Sequence, residues 1–135
     1  MNKKCLSLAF LIVAMLIGDR AVARLSAQIG KPTPGGLEIV RVIGCLKQPG
    51  GETWVLTSAT APIPSASTGT SATSLREAEG TLLGTKRFRL IGISAFVPES
   101  QKGHKVEVKG ILIKDVKESR VNVTSLQTVT TTCTR

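Results

Sequence analysis

The stretch Lys105-Val-Glu-Val-Lys-Gly-Ile-Leu-Ile-Lys114 constrains this chain most, because its first five residues alternate charged and apolar without a break. A period of two places Val106 and Val108 on one face of an extended strand and Lys105, Glu107 and Lys109 on the other. A half-apolar strand needs a sheet and a core to cover that face, so further strands are required. Four more runs supply them. Leu37–Leu46, Trp54–Ala59, Lys86–Ile93 and Arg120–Thr132 are short and rich in β-branched or aromatic residues. The turn sequence Gln48-Pro-Gly-Gly-Glu52 joins the first two as a hairpin. Gly110 interrupts the alternation, as expected at a bulge or a sharp bend. In the last run Val121, Val123 and Val129 share a parity that Cys133 continues. Outside the N-terminal apolar run no helical stripe is sustained, so no helix beyond about two turns is expected there.

The connections read differently. Thr60–Ser74 carries no charge and consists mainly of Ser, Thr, Ala, Gly and Pro, too little apolar surface to bury. It reads as part of a flexible insertion over residues 60–84. The alternative, a functional loop, finds no distinctive chemistry in these side chains. Ser74-Leu-Arg-Glu77 has the form of a capping box, with Gly80 to stop a helix of one or two turns. Ser94–Lys102 has room for a single helical turn or an irregular corner.

Five strands in about 95 residues must close or stack to hide their apolar face. The expected architecture is all-β: a five-stranded OB-like Greek-key barrel over residues 37–135, with an open sandwich as the alternative. Residues 24–36, with Gly30, Pro32, Pro34 and Gly35-Gly36, read as a flexible lead-in.

The N-terminus reads as an address. Asn2-Lys3-Lys4 precedes a nearly unbroken apolar run from Cys5 to Gly18, then polar Asp19-Arg20 and the small residues Ala21-Val22-Ala23. That layout is a secretory signal peptide over residues 1–23, a helix cleaved after Ala23, with Ala27 as the second choice. An uncleaved membrane anchor is the alternative, for which the run is short. Cys5 precedes the apolar core and is no lipid-attachment site. Export implies a periplasmic or secreted protein of bacterial type with no membrane span after cleavage. Removing residues 1–23 takes three cations, one anion and Cys5, leaving +7 of the +9 charge and a single cysteine pair. In an oxidising compartment Cys45 and Cys133 read as a disulfide; two free thiols or a metal pair are the alternatives. Closing so long a loop removes unfolded-chain entropy worth about 4–5 kcal/mol.

Composition removes most catalytic chemistry. The chain has no tyrosine and one histidine, His104. A lone histidine without a spaced nucleophile or further ligands reads as a corner-fixing residue, so no catalytic residues, metal or cofactor are expected. Gly35-Gly36 and Gly50-Gly51 lack the Lys-Ser/Thr of a phosphate loop. The Asn122-Val-Thr124 sequon lies mid-strand, and Glu77 and Glu79 are paired carboxylates with nothing beside them.

Gly44-Cys45-Leu46, Trp54-Val-Leu-Thr57, Phe88-Arg-Leu-Ile-Gly92, Gly103-His-Lys-Val-Glu-Val-Lys-Gly110 and Val123-Thr-Ser-Leu126 followed by Cys133 together resemble one family. It is a group of small exported bacterial OB-like domains of unknown function, and the resemblance spans about residues 40–133. It implies a secreted or periplasmic β-barrel module without established activity, so no catalytic residues carry over. The Thr60–Gly84 insertion departs from the family's usual pattern.

Basic residues gather on two strands: Lys86, Arg87 and Arg89 on one, Lys102, Lys105, Lys109, Lys114 and Lys117 on or beside the next. Strands two and three are the usual ligand face of an OB barrel, so Trp54, Arg87, Arg89 and Lys105 are the candidate ligand-binding residues. The bland alternative is a solvated basic face that blocks edge pairing and keeps the protein soluble. The expected function is an exported, non-enzymatic OB-like binding module acting on anionic partners at the cell envelope. The alternative is a structural or protein-interaction domain stabilised by the disulfide. Nucleic acid is disfavoured, since only Trp54, Phe88 and Phe96 could stack on bases outside the signal segment.

Overall fold

A computed structural model describes residues 37–134. The proposed signal segment and lead-in lie outside the described residues. The chain there is all-β apart from one short α-helix and single 3₁₀ turns. The strands are β1 (Ile39–Lys47), β2 (Val55–Ala59), β3 (Ile63–Pro64), β4 (Lys86–Ile91), β5 (Lys105–Ile113) and β6 (Arg120–Thr130), and the helix α1 spans Ala72–Gly80. The β-branched runs thus become strands within a few residues of the expected bounds; β3 is an addition.

All six strands belong to one sheet in the order β2-β4-β6-β5-β1-β3, and β1 also pairs with β2. Pairing therefore passes from β1 through β2, β4, β6 and β5 and returns to β1. The β4–β6 pair is parallel; the others are antiparallel.

One side chain parity builds the core. Val40, Val42 and Leu46 of β1, Leu56 of β2, Phe88 and Leu90 of β4, and Val106 and Val108 of β5 pack together with Val121, Val123 and Leu126 of β6. Two glycines on this inner parity allow close approach. A Cβ on Gly44 would stand 2.7 Å from the Leu56 side chain, and one on Gly110 would strike the Asn122 carbonyl oxygen. The irregularity expected at Gly110 occurs there, but the extra residue belongs to β6. Lys109 pairs with Ser125 and Gly110 with Val123, leaving Thr124 unpaired. That bulge reverses the parity of β6, so Leu126 follows Val121 and Val123 into the core, while Val129, left unpaired by a second register shift between Thr128 and Thr130, is only half-buried, contrary to the simple alternation.

Cys45 and Cys133 form a disulfide, with their Cα atoms 5.7 Å apart. Cys45 lies opposite Lys105, and Lys105 opposite Thr130, so the bridge ties β1 to the chain beyond β6 with β5 between them.

The segment expected to be a flexible insertion carries β3 and α1 and is hydrogen-bonded to the sheet. The side chain of Ser71, not Ser74, caps α1 by accepting the Ser74 N–H at 3.1 Å. Ser65 N–H donates to the Ile39 carbonyl, Gly84 N–H to the Ser58 carbonyl, and Thr124 Oγ1 to the Thr68 carbonyl at 2.9 Å. Among the described residues no helix is long and apolar enough to cross a membrane.

Candidate functional site

A cleft of about 450 Å³ opens where the β1–β2 turn meets the loop preceding β5; exposed Pro49 lies at its edge, the buried residues Leu46 and Val55 lie behind it, and Lys47, Arg87 and Lys102 stand around it. Strand parity explains the arrangement. Lys47 pairs with Val55, and Val55 with Arg89, so all three project from the outer face, opposite to the core residue Leu56. The two loops are held together by backbone hydrogen bonds: Gly103 N–H donates to the Leu46 carbonyl at 2.8 Å and Leu46 N–H to the His104 carbonyl at 3.1 Å. Gly103, at φ +84°, takes the left-handed turn that brings Lys102 to the cleft.

Three cations converge on this one opening. Lys47 and Lys102 are exposed, and Arg87 Nε donates to Glu118 Oε1 at 3.2 Å with the arginine side chain 54% exposed. A pair this wet contributes about 0–1 kcal/mol, so the guanidinium is free to exchange Glu118 for another anion.

The four residues chosen from the sequence separate. Arg87 lines the cleft. Arg89 is exposed on the same outer face, opposite Val55, but is not among the lining residues. Trp54 is on the inner parity and only 8% exposed, part of the core, because it lies two residues before Leu56. Lys105 is buried under the end of α1, where its Nζ donates to the carbonyl oxygens of Glu79 at 3.0 Å and Thr81 at 2.8 Å. A cation on the last carbonyls of a helix opposes its macrodipole. Lys47 and Lys102 were missed, because their loops are distant in sequence and meet only through the backbone bonds above; the Pro-Gly-Gly turn and the Lys102-Gly103 pair were the available signals.

Lys105 belongs to a wider polar layer. Glu107, fully buried, accepts from Arg41 Nε at 2.7 Å and from Ser74 Oγ at 2.7 Å. Arg41 Nη2 donates to the Ser74 carbonyl at 2.7 Å, and its Nη1 lies 3.4 Å from Glu77 Oε2. Lys109 Nζ donates to the Gly69 carbonyl at 2.7 Å, and Thr70 and Ser125 share a hydroxyl hydrogen bond at 2.9 Å. The charged face of β5, solvated in the bland alternative, is therefore covered by residues 65–82. The ring of His104 has Nδ1 3.1 Å from Thr128 Oγ1, whose hydroxyl donates to Gln101 Oε1, a corner-fixing arrangement. Among the described residues no group of three or more His, Cys, Asp or Glu side chains could hold a metal ion.

Searches against protein-family models, curated proteins and solved structures find no match to this chain.

Proposed function

We propose that the protein is an exported, non-enzymatic OB-like module that binds anionic partners at the cell envelope through the cleft between Lys47, Arg87 and Lys102. The observation that carries this reading is the convergence of three cations from three separate segments on one partly apolar opening. Convergent charge of one sign concentrates oppositely charged ligands, and an apolar floor adds contact area to the electrostatic term.

The barrel reading draws support from the pairing that returns to β1 and from the parallel β4–β6 contact. Without β3, the cyclic order β1-β2-β4-β6-β5 resembles the Greek-key layout of an OB barrel. Export draws support from the layout of residues 1–23, with which the disulfide is compatible. Trp54 favours the second reading, a structural or protein-interaction domain, since the one tryptophan faces the core and offers a ligand no platform.

Retention on a heparin matrix separates the two. The protein is expected to elute progressively earlier as salt rises between about 50 and 200 mM. Lys47→Gln/Arg87→Gln/Lys102→Gln is expected to remove most of the retention. Elution indifferent to salt, or unchanged in the triple variant, contradicts the cleft and favours the structural reading.

A further inference from the structure

The outer face of β1 and β5 carries a second group of cations. Arg41 stands opposite Lys109, and Lys105 lies four residues back along β5, about 13 Å away at the usual strand rise. All three are satisfied by one continuous segment. Gly69, Ser74, Glu79 and Thr81 present backbone carbonyl oxygens to them, and Glu77 presents a carboxylate. Glu107 lies among the cations and pairs with Arg41, so the four side chains together retain two positive charges. The segment thus lays a row of negative oxygens along a row of cations, as a linear anionic polymer does.

Three features let this cover lift. Its contacts to the face are mainly hydrogen bonds and ion pairs, whose groups regain hydration when separated. Ala78 is the only residue of α1 that is buried, so little apolar surface resists opening. The segment is tethered at both ends, by β3 on β1 and by Gly84 on Ser58, so it can rise between fixed points without unravelling the sheet.

We infer that residues 65–82 act as an internal pseudo-ligand on a second anion-binding face, formed by Arg41, Lys105 and Lys109, and that a linear anionic polymer displaces them. The inference rests on the reading that the partner is anionic, and adds a site and a means of regulation to it. The closed cover holds the second face out of use until a polymer long enough to reach it arrives at the cleft.

Hydrogen exchange of the protein with inorganic polyphosphate, and separately with polygalacturonate, tests this and distinguishes a phosphate from a carboxylate source. With the effective polymer the Leu75 amide, bonded to the Ser71 carbonyl, is expected to exchange at least about fivefold faster, while the Leu90 amide, bonded to the Trp54 carbonyl, is unchanged. Ala78→Gln, which crowds the cover at its one buried position and leaves Arg41, Lys105 and Lys109 unaltered, is expected to bind the polymer about tenfold more tightly. Adding Lys105→Gln and Lys109→Gln should cancel the gain and make the log–log salt slope shallower by about two. The exchange measurement on the unaltered protein stands even where a variant fails to fold. Polymer bound with Leu75 exchange equal or slower overturns the inference; if that binding is lost in the Lys47/Arg87/Lys102 triple variant, the cleft reading survives. No binding of either polymer overturns both.

Discussion

Val106 and Val108 on one face of β5, and Lys105, Glu107 and Lys109 on the other, are all at most 6% exposed, but they are buried by different physics. The valines meet Val42, Leu126 and other aliphatic side chains in a core whose stabilisation scales with area and has no preferred direction. The charged trio meets Arg41, Ser74 and backbone carbonyls, each contact fixed in length and angle. The difference teaches where stability and register come from. The inner layer supplies most of the driving force. The outer layer contributes little net energy, because desolvation offsets most of each ion pair, but it specifies where residues 65–82 lie.

The inner layer should give the larger loss when it is cut. Leu56→Ala is expected to lower unfolding stability by about 3 kcal/mol, from lost transfer energy plus the cavity left in the core. Urea unfolding checks it, and the loss should be the same at low and high salt. A loss below about 1 kcal/mol would mean that this site collapses around the gap and that the inner layer is not tightly packed.

Cutting the outer layer should cost somewhat less and respond to repair. Glu107→Gln is expected to cost about 2–3 kcal/mol, since it leaves the mostly buried Arg41 guanidinium without its buried anion and with only the longer contact to exposed Glu77. Replacing both, as Arg41→Met/Glu107→Met, is expected to recover most of that loss, because an apolar pair removes the desolvation cost along with the attraction. Urea midpoints of the two variants decide the matter. A double variant weaker than the single one would show that the polar layer is itself a main source of stability.

The inner layer was also the legible one. The β-branched runs mark all five long strands, because period-two burial leaves a direct trace in residue type. The cysteine pair was legible from its count after the signal segment. The parity error at Val129 arose because the register shifts at Thr124 and Val129 depend on partner spacing, which sequence alternation alone does not display. Trp54 was misplaced by reasoning from ligand chemistry where its shared parity with Leu56 already pointed inward. The outer layer left no comparable trace. Lys105 and Lys109 are satisfied by the carbonyls of Glu79, Thr81 and Gly69, and a backbone acceptor looks the same in any sequence. A Ser/Thr-rich segment with few apolar residues therefore read as loose, although hydrogen bonds and charge hold it to the sheet.

The most direct test is native-state hydrogen exchange of the protein alone in about 0.02 and 1 M sodium chloride, comparing the Leu75 and Leu90 amides. The account predicts that Leu75 opens at a free energy well below that of Leu90 and falls further with salt, as screening of the exposed cations favours the open cover. Leu90 should hold nearly constant, following global unfolding. Equal protection of the two amides at both salt concentrations would contradict it, making residues 65–82 part of one cooperative unit with the core.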